Sequence, residues 1–213
     1  MILEPKASSD WRPVYRLLTS LVLPRPIAWV STKDADGKLN LAPFSFFNVV
    51  CANPPTVMFC PMLGGRNAQP KDTLANLKLH PEFVIQVVGR DLVEAMNLCA
   101  GEYASEVDEF EVAGLTPAPS RIVSVPRVAE AKAFLECKLA QIIPVGEGSG
   151  SGSIVLGEVV AIEVDDELFV GDAVDIDRLD PVARLGGSEY CTAKERFALE
   201  RPTPESLGKP GRA

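Results

Sequence analysis

The chain has 213 residues, of which 46% are hydrophobic and 23% are charged. This length corresponds to one domain or at most a small pair, and the apolar content is sufficient for a core, which excludes a wholly disordered protein. The net charge is −8. An acidic surface repels phosphate backbones and anionic lipids, so we expect no nucleic-acid partner and no membrane partner.

Cysteine usage and the N-terminus indicate where the protein works. The five cysteines are odd in number, scattered and never arranged as CxxC, which indicates reduced thiols rather than a disulfide framework. The first residues contain no apolar run behind a basic start, so we expect no signal peptide and a cytoplasmic protein. Residues 39–65 carry no charge, but polar residues and prolines interrupt them, which favours buried strands over a membrane segment.

In chain order, the first predicted elements form a hairpin. Residues 15–21 are a short helix or strand, and residues 26–32 are a strand that ends before Asp36-Gly37, a pair typical of tight turns. Residues 39–50 return as a second, single strand, which Asn53-Pro54-Pro55 ends.

The middle of the chain alternates short strands with short helices. Residues 56–60 and 82–88 are predicted strands. A helix begins near Thr73, with Asp72 or Thr73 as its N-cap, and another helix covers residues 92–99.

Two long strands follow, at residues 134–142 and 154–164, on either side of a Gly/Ser-rich loop at residues 146–153. The loop contains GxG without completing GxGxxG, and a strand follows it, so it is a hairpin loop and not a dinucleotide motif. The whole pattern predicts a mainly β fold with short helices, built as a closed or nearly closed antiparallel barrel.

The single histidine, His80, restricts the catalytic possibilities. It precedes Pro81 where a helix should end, and a histidine there most often binds helix carbonyl groups. Catalytic triads need an imidazole beside a nucleophile, and structural zinc sites need clustered Cys or His ligands. We therefore expect no metal site and, if the chain is an enzyme, chemistry that an organic cofactor supplies.

Polar residues inside the predicted strand at residues 39–50 are the first candidates for a binding site. Ser45 and Asn48 would be buried there, and an unpaired buried hydroxyl or amide costs about 1–3 kcal/mol, so each needs a partner. That partner is either neighbouring backbone or a planar ligand with a polar edge. Pro43 cannot donate to a ladder, which places the strand at a sheet edge or a bulge, with N–H groups free for a ligand.

A basic cluster follows at Arg66 and Lys71, close to the predicted start of the helix at Thr73. Helix N-termini bind phosphate through free N–H groups and the helix dipole. The cluster is therefore either an anion site or a solvated loop. Asp72 would repel a phosphate directly, so capping is its expected role.

Several motifs occur in an order known from one protein family. They are Arg25 to Thr32 (RPIAWVST), Asn40 to Asn48 (NLAPFSFFN), Lys71-Asp72-Thr73 with Asn76, Glu109-Phe110, Leu135-Glu136-Cys137, and Arg184-Leu185-Gly186-Gly187 with Tyr190. With these motifs the chain resembles the flavin reductase-like, FMN-binding split-barrel family over residues 20–192, and most closely its flavoredoxin-like branch. The resemblance implies one domain over residues 1–213, an antiparallel, Greek-key-like split β-barrel with a C-terminal tail at residues 193–213.

The resemblance also implies a homodimer that binds FMN non-covalently near the subunit interface and transfers hydride from NAD(P)H to the flavin. No side chain is then catalytic, because flavin N5 carries the chemistry. The alternatives are a flavoredoxin-type electron carrier and a flavin-binding protein without turnover. A further protein or an oxygenase would accept the electrons.

The family motifs assign the FMN contacts by position. The resemblance implies that the end of the strand at residues 26–32 lies beside the flavin. Residues 42–48 would line the flavin ring and ribityl chain, largely through backbone, and the basic cluster would hold the phosphate. The C-terminal motif completes the pocket. The residues assigned in this way are Ser31, Thr32, Ala42, Pro43, Phe44, Ser45, Phe46, Phe47, Asn48, Arg66, Lys71, Asp72, Thr73, Arg184 and Tyr190.

Overall fold

The computed structural model describes residue 4, residues 10–63 and 71–203, and residues 206 and 208. Arg66 therefore lies outside the described residues. The helices are α1 (Arg12–Leu21), α2 (Asp72–Leu79), α3 (Val93–Leu98), α4 (Glu109–Ala113) and α5 (Ile176–Leu179). The strands are β1 (Arg25–Pro26), β2 (Ala28–Lys33), β3 (Leu39–Phe44), β4 (Phe47–Ala52), β5 (Pro55–Phe59), β6 (Glu82–Gln86), β7 (Pro117–Ala118), β8 (Arg127–Val128), β9 (Ala133–Val145), β10 (Gly152–Val164), β11 (Phe169–Val170), β12 (Ala173–Val174), β13 (Val182–Arg184) and β14 (Tyr190–Thr192).

The main sheet has seven strands in the order β3-β2-β6-β9-β10-β5-β4, and every neighbouring pair is antiparallel. β3 and β4 lie at opposite ends of this order, yet only Ser45 and Phe46 separate them in the chain. The sheet must therefore curl until its two edges meet at that bend. Within the described residues no ladder joins β3 to β4, so the barrel is split there. The predicted mainly β, antiparallel split-barrel fold is confirmed.

β2 is buried on both faces because the curled sheet encloses one core and helices cover another. Ala28 and Val30 contribute to the core cluster that contains three phenylalanine rings, whereas Trp29 between them belongs to a second cluster with Met96 and Phe110 of α3 and α4. The phenylalanine rings contact one another across the first cluster: the ring centroids of Phe44 and Phe59 lie 5.0 Å apart in a tilted pair, and those of Phe59 and Phe83 lie 5.5 Å apart edge to face.

A small three-stranded sheet and one helix complete the part of the fold that matters for the site. β1 pairs with β13, and β13 pairs with β14, which brings the C-terminal motif beside the start of the barrel. α1 contains a proline in its first turn, a position where proline's fixed φ and missing N–H are tolerated. The sequence predicts either a helix or a strand at residues 15–21, and the structure has a helix there.

Two local predictions were wrong. The expected single strand at residues 39–50 is two strands, because the chain bends at Ser45 and Phe46 as it passes from one edge of the sheet to the other. The expected capping of α2 by Asp72 or Thr73 is also absent: Lys71 is the N-cap and makes no side-chain cap bond, and Asp72 is the first helical residue. Thr73 is occupied elsewhere, since its hydroxyl accepts a hydrogen bond from Asn40.

The helix ending at His80 is confirmed, but the imidazole does not bind helix carbonyls. His80 is the C-cap of α2, and its Nε2 lies 2.9 Å from the Ser124 hydroxyl and 3.3 Å from Glu82. Across residues 10–63 and 71–203, the helices include none long and apolar enough to cross a bilayer. No group of three or more His, Cys, Asp or Glu side chains in the described part of the chain could hold a metal ion.

Candidate functional site

The bend between β3 and β4 carries unpaired backbone donors. The Phe46 carbonyl accepts a hydrogen bond from the Cys60 N–H at 2.8 Å, which holds the bend against β5. The N–H groups of Ser45 and Phe46 donate to no residue that the structure describes. Unpaired backbone donors at a partly buried bend need water or a ligand as acceptor. The bend can therefore bind the polar edge of a ligand.

The edge strand β3 offers a ligand fewer free backbone N–H groups than the sequence predicts. β3 pairs only with β2, so Pro43 does lie on an edge strand. The Leu41 N–H points away from β2 and donates to Glu109 Oε2 at 3.1 Å. Because donor direction alternates along a strand, position 43 faces the same way, and its missing N–H costs no ladder bond. The predicted edge position of Pro43 is confirmed, but the Leu41 amide of that edge is occupied by Glu109, and the amides without a described partner are those of the bend.

Two clefts open on either side of the bend. The smaller has a volume of about 210 Å³ and is lined by Pro43 to Phe46, Cys60 and Lys71, among others. The larger has a volume of about 460 Å³ and extends between α1 and the C-terminal motif. Pro43, Ser45 and the ring of Tyr15 from α1 border both clefts, so the clefts adjoin one another at the bend.

Arg25 connects the elements around the larger cleft. It is 5% exposed, and its Nη1 donates to the carbonyls of Thr19 at 2.6 Å and Val22 at 2.8 Å, at the C-terminal end of α1. Its Nη2 donates to the Leu185 carbonyl at 2.8 Å. Burial lowers the pKa of this guanidinium, and the nearby charge of Arg184 lowers it further. Arg25 thus holds α1 and the C-terminal motif together over the barrel edge.

The C-terminal motif forms the opposite wall of the larger cleft. The Arg184 guanidinium lies 4.5 Å from the centroid of the Tyr190 ring and donates to the Tyr190 hydroxyl and the Gly187 carbonyl. The Tyr190 hydroxyl in turn donates to Asn97 Oδ1 at 3.0 Å, which ties the motif to α3. Both predicted residues, Arg184 and Tyr190, line this cleft together with Ser45.

A buried polar network joins α2 to β2 and β3. The Asn40 amide donates to the hydroxyls of Thr32 at 3.3 Å and Thr73 at 2.9 Å, and the Asn76 amide donates to Thr32 at 3.1 Å. Thr32 and Thr73 are fully buried. Their hydroxyls therefore fix α2 against β2 and β3, and Lys71 at the start of α2 is the part of this region that reaches the smaller cleft.

The structure brings together some of the predicted site residues and separates others. Pro43 to Phe46 and Lys71 share the smaller cleft. Ser31 is fully buried and donates to the Pro126 carbonyl at 2.7 Å, on a different side of β2. Asn48 was expected to be buried but is exposed, with its Oδ1 accepting from the Val49 N–H, since β4 lies at the sheet edge.

The remaining predicted residues have simple placements. Ala42 is buried with Phe44 in the inner core cluster, against which Phe47 also packs, and Asp72 lines a small separate cleft beside Asn40.

Most residues that line the larger cleft were not assigned to a site from the sequence, and Arg25 and Tyr15 are two of them. Arg25 stands inside the RPIAWVST motif and could have been found there, whereas nothing in the sequence around Tyr15 indicates that α1 covers the site.

Glu109, the first residue of α4, is a buried carboxylate next to the site. Burial raises the pKa of Glu109, the hydrogen bond from the Leu41 N–H opposes that rise, and the negative charges of Asp72 and Asp108 add to it. Only 7% of the residue is exposed. The Glu109 carboxylate therefore satisfies the Leu41 N–H at the edge of β3, but its burial costs the carboxylate its solvation by water.

We expect Glu109→Gln to stabilise the protein near neutral pH, because the amide keeps an acceptor oxygen for the Leu41 N–H without a buried charge. A carboxyl whose folded pKa lies above its unfolded value stabilises the fold when protonated, and this contribution is lost as the pH rises through the folded pKa. The advantage of the variant should therefore be larger at about pH 7 than at about pH 4. Urea unfolding at both pH values measures it.

Glu111→Gln, an exposed glutamate of the same helix, is the matched control and should show no such change with pH. An unfolding free-energy difference between Glu109→Gln and the wild type that is the same at both pH values would contradict the assignment of a raised pKa to Glu109.

Comparison with known proteins identifies the family. The family model described as the flavin reductase like domain matches residues 20–178. The chain belongs to the flavin reductase-like family. Among proteins similar to this flavin reductase-like chain, an uncharacterized protein of Halalkalibacterium halodurans, BH2278, is 45% identical over 192 residues, which cover 89% of this chain and 91% of the relative.

Two solved structures place the fold within this family. Nitrilotriacetate monooxygenase component B from Bacillus cereus is 34% identical, with a TM-score of 0.87 over 93% of this chain and 98% of that one. The flavoredoxin of Desulfovibrio vulgaris (Miyazaki F) is 26% identical, with a TM-score of 0.71 over 84% of this chain and 91% of that one. The family predicted from the motifs is confirmed.

Proposed function

We propose that this protein is an FMN-dependent oxidoreductase that accepts hydride from NAD(P)H. The observation that carries the proposal is that the N–H groups of Ser45 and Phe46, which donate to no residue the structure describes, lie between two adjoining clefts in a flavin reductase-like fold. The oxygen and nitrogen atoms along the polar edge of an isoalloxazine ring are suitable acceptors for such donors. The absence of a second histidine is no obstacle, because hydride transfer between stacked rings needs no protein acid or base.

The residues present fit FMN at the smaller cleft. Pro43 and Phe44 offer an apolar wall for a flat ring, and the bend offers donors for its polar edge. Lys71 precedes the first turn of α2, where its ammonium and the free N–H groups of the helix favour an anion. When bound there, FMN would take a hydride from a reduced nicotinamide and pass electrons to an acceptor.

The chain's own residues would bind and shield the ring rather than exchange protons with it. Tyr15 borders both clefts and its ring lies 6.3 Å from that of Phe46, so α1 covers the bend and limits the access of water. The larger cleft, open beside Ser45, leaves room for a second molecule at near-attack distance from the ring.

A second function shares the same pocket. The relatives include a flavoredoxin and a monooxygenase component, so the bound flavin could exchange electrons with a partner protein or supply an oxygenase.

We also propose that the protein is a homodimer, because Leu21 (77%) at the end of α1, Val22 (61%) directly after it and Val49 (66%) on the edge strand β4 are exposed. Neighbouring apolar side chains that are exposed, such as Leu21 and Val22, are typical of interfaces. Sedimentation equilibrium measures the mass, and a monomer would contradict the dimer.

FMN and riboflavin titrations of the flavin-free protein test the binding site, since riboflavin lacks the phosphate. Lys71→Gln should weaken FMN binding about tenfold and leave riboflavin binding unchanged, because the lost contact is a charge-assisted hydrogen bond. The matched control Lys78→Gln, at an exposed position of α2, should alter neither affinity. Protein that takes up no FMN contradicts the proposal.

Anaerobic mixing with NADH and with NADPH then tests the reaction. We expect the visible absorbance of the bound flavin to bleach with at least one of the two nucleotides. A protein that holds FMN but does not bleach with either nucleotide is not a reductase, and an electron carrier or a flavin-binding protein without turnover then remains. A crystal structure with FMN should place the ring against the backbone of residues 43–48.

A further inference from the structure

The larger cleft has a positive wall in an acidic protein. Arg16, Arg25 and Arg184 line it, and none of its described lining residues is an aspartate or glutamate. None of these three arginines forms an ion pair with a carboxylate in the described part of the chain. Against a net charge of −8, this uncompensated cluster marks the cleft as a site for an anion.

The three arginines have different parts in the cluster. Arg25 is buried, and its donors are taken by backbone carbonyls and by the Ser45 hydroxyl, which satisfy its N–H groups without neutralising its charge. Arg184 is half-buried and held in place by Tyr190 and Gly187. Arg16 is exposed at the mouth of the cleft. Arg184 therefore offers an oriented guanidinium, Arg16 an adaptable one, and Arg25 a fixed background charge.

The other walls of the cleft are apolar or aromatic. Ile27, Pro43 and Met96 line it, together with the aromatic residues Tyr15 and Tyr190. A volume of about 460 Å³ is in the range of sites for small organic molecules. Apolar walls with an arginine at one side favour a flat apolar body that carries a single anionic group, and a guanidinium matches the two oxygens of a carboxylate.

We propose that the larger cleft binds a small aromatic carboxylate, with the carboxylate against Arg184 and Arg16 and the ring directed towards Ser45. The site itself is argued from the cleft, and its position beside a flavin rests on the proposed function. The ligand would then lie next to the bound ring, where a substrate or electron acceptor must lie.

Calorimetric titration with benzoate tests the proposal on both the flavin-free and the FMN-loaded protein. Benzamide has nearly the same shape without the charge, and inorganic phosphate has the charge without the ring. We expect benzoate to bind about tenfold more tightly than benzamide and also more tightly than phosphate, the size of effect that one charge-assisted hydrogen bond produces. Added salt should weaken benzoate binding and leave benzamide binding unchanged.

Variants locate the site. Arg184→Gln should weaken benzoate binding about tenfold and Arg16→Gln about threefold, because Arg184 is oriented and Arg16 is not. Arg90→Gln, an exposed arginine outside the cleft, is the control and should bind benzoate as the wild type does. Because Arg16 is exposed, its variant should fold normally and still report on the site if Arg184→Gln is unstable.

Each contrary result has a distinct meaning. Equal binding of benzoate and benzamide, or binding that neither Arg16 nor Arg184 affects, overturns the proposal. Displacement of FMN by benzoate also overturns it, because the cleft would then be the flavin site. NADH binding that depends on Arg184 while benzoate binding does not would assign the cleft to a dinucleotide. If the protein takes up no FMN, the proposed function fails, and the titration of the flavin-free protein still decides the carboxylate site.

Discussion

Replacing Glu136 with alanine should destabilise the protein by about 4 kcal/mol, because one buried carboxylate satisfies several backbone donors at once. Glu136 is fully buried on β9 and accepts hydrogen bonds from the N–H groups of Arg121 at 2.7 Å, Ile122 at 2.7 Å and Val123 at 2.8 Å. These N–H groups belong to a turn between β7 and β8, and the alanine variant leaves all of them without an acceptor.

The loss would extend beyond the hydrogen bonds. Val123 and Val125 of the same turn are buried against Val84 and Phe134, so a displaced turn exposes a small apolar cluster. Glu136→Gln retains one acceptor oxygen but turns an NH₂ group towards donors, and we expect about half the loss. Urea unfolding measures both variants.

Glu158→Ala is the matched control, because Glu158 lies on the neighbouring strand β10 but is exposed. Its effect should stay within about 0.5 kcal/mol, as for most surface substitutions. Equal unfolding midpoints for Glu136→Ala and Glu158→Ala would show that the turn does not depend on the buried carboxylate.

Arg25→Leu should cost about 2–3 kcal/mol of stability and weaken FMN binding about tenfold. The leucine fills the space but leaves the carbonyls of Thr19, Val22 and Leu185 without their donor. α1 then loses its attachment at the C-terminal end, where a positive charge also favours the helix dipole. Because Tyr15 is carried on α1, the cover over the bend loosens with it. Hydrogen exchange of α1 and FMN titration measure the two effects.

Arg25→Lys separates charge from geometry. An ammonium retains the charge but cannot span all the acceptors that the guanidinium fork reaches, so we expect an intermediate loss of both stability and FMN affinity. Arg90→Gln, on the surface, should change neither quantity. An Arg25→Leu protein with unchanged exchange in α1 and unchanged FMN affinity would contradict the role assigned to Arg25.

Local patterns in the sequence were sufficient for much of the fold. Alternating strands, turn pairs and the long Gly/Ser-linked hairpin depend on residues close together in the chain, so the antiparallel β class could be predicted. Pro43 required an edge position for the same local reason, because it has no N–H to donate. The order of the motifs was enough to assign the family.

The bend at Ser45 and Phe46 could not be predicted from its own residues. An apolar, charge-free run such as residues 39–50 suits one buried strand as well as two. Closing the sheet on itself requires the chain to cross from one edge to the other, and only the pairing of β2 through β10 determines where that crossing falls.

The sequence by itself determined the antiparallel β architecture and the family. Only the tertiary structure decided which amides remain free, where α1 lies and which charges share a cleft. The partners concerned are far apart in the chain: Arg25 donates to a carbonyl 160 residues away, and Leu41 donates to a carboxylate 68 residues away. Hydrogen bonds over such separations form only when the barrel closes, so no local pattern of residues can specify them.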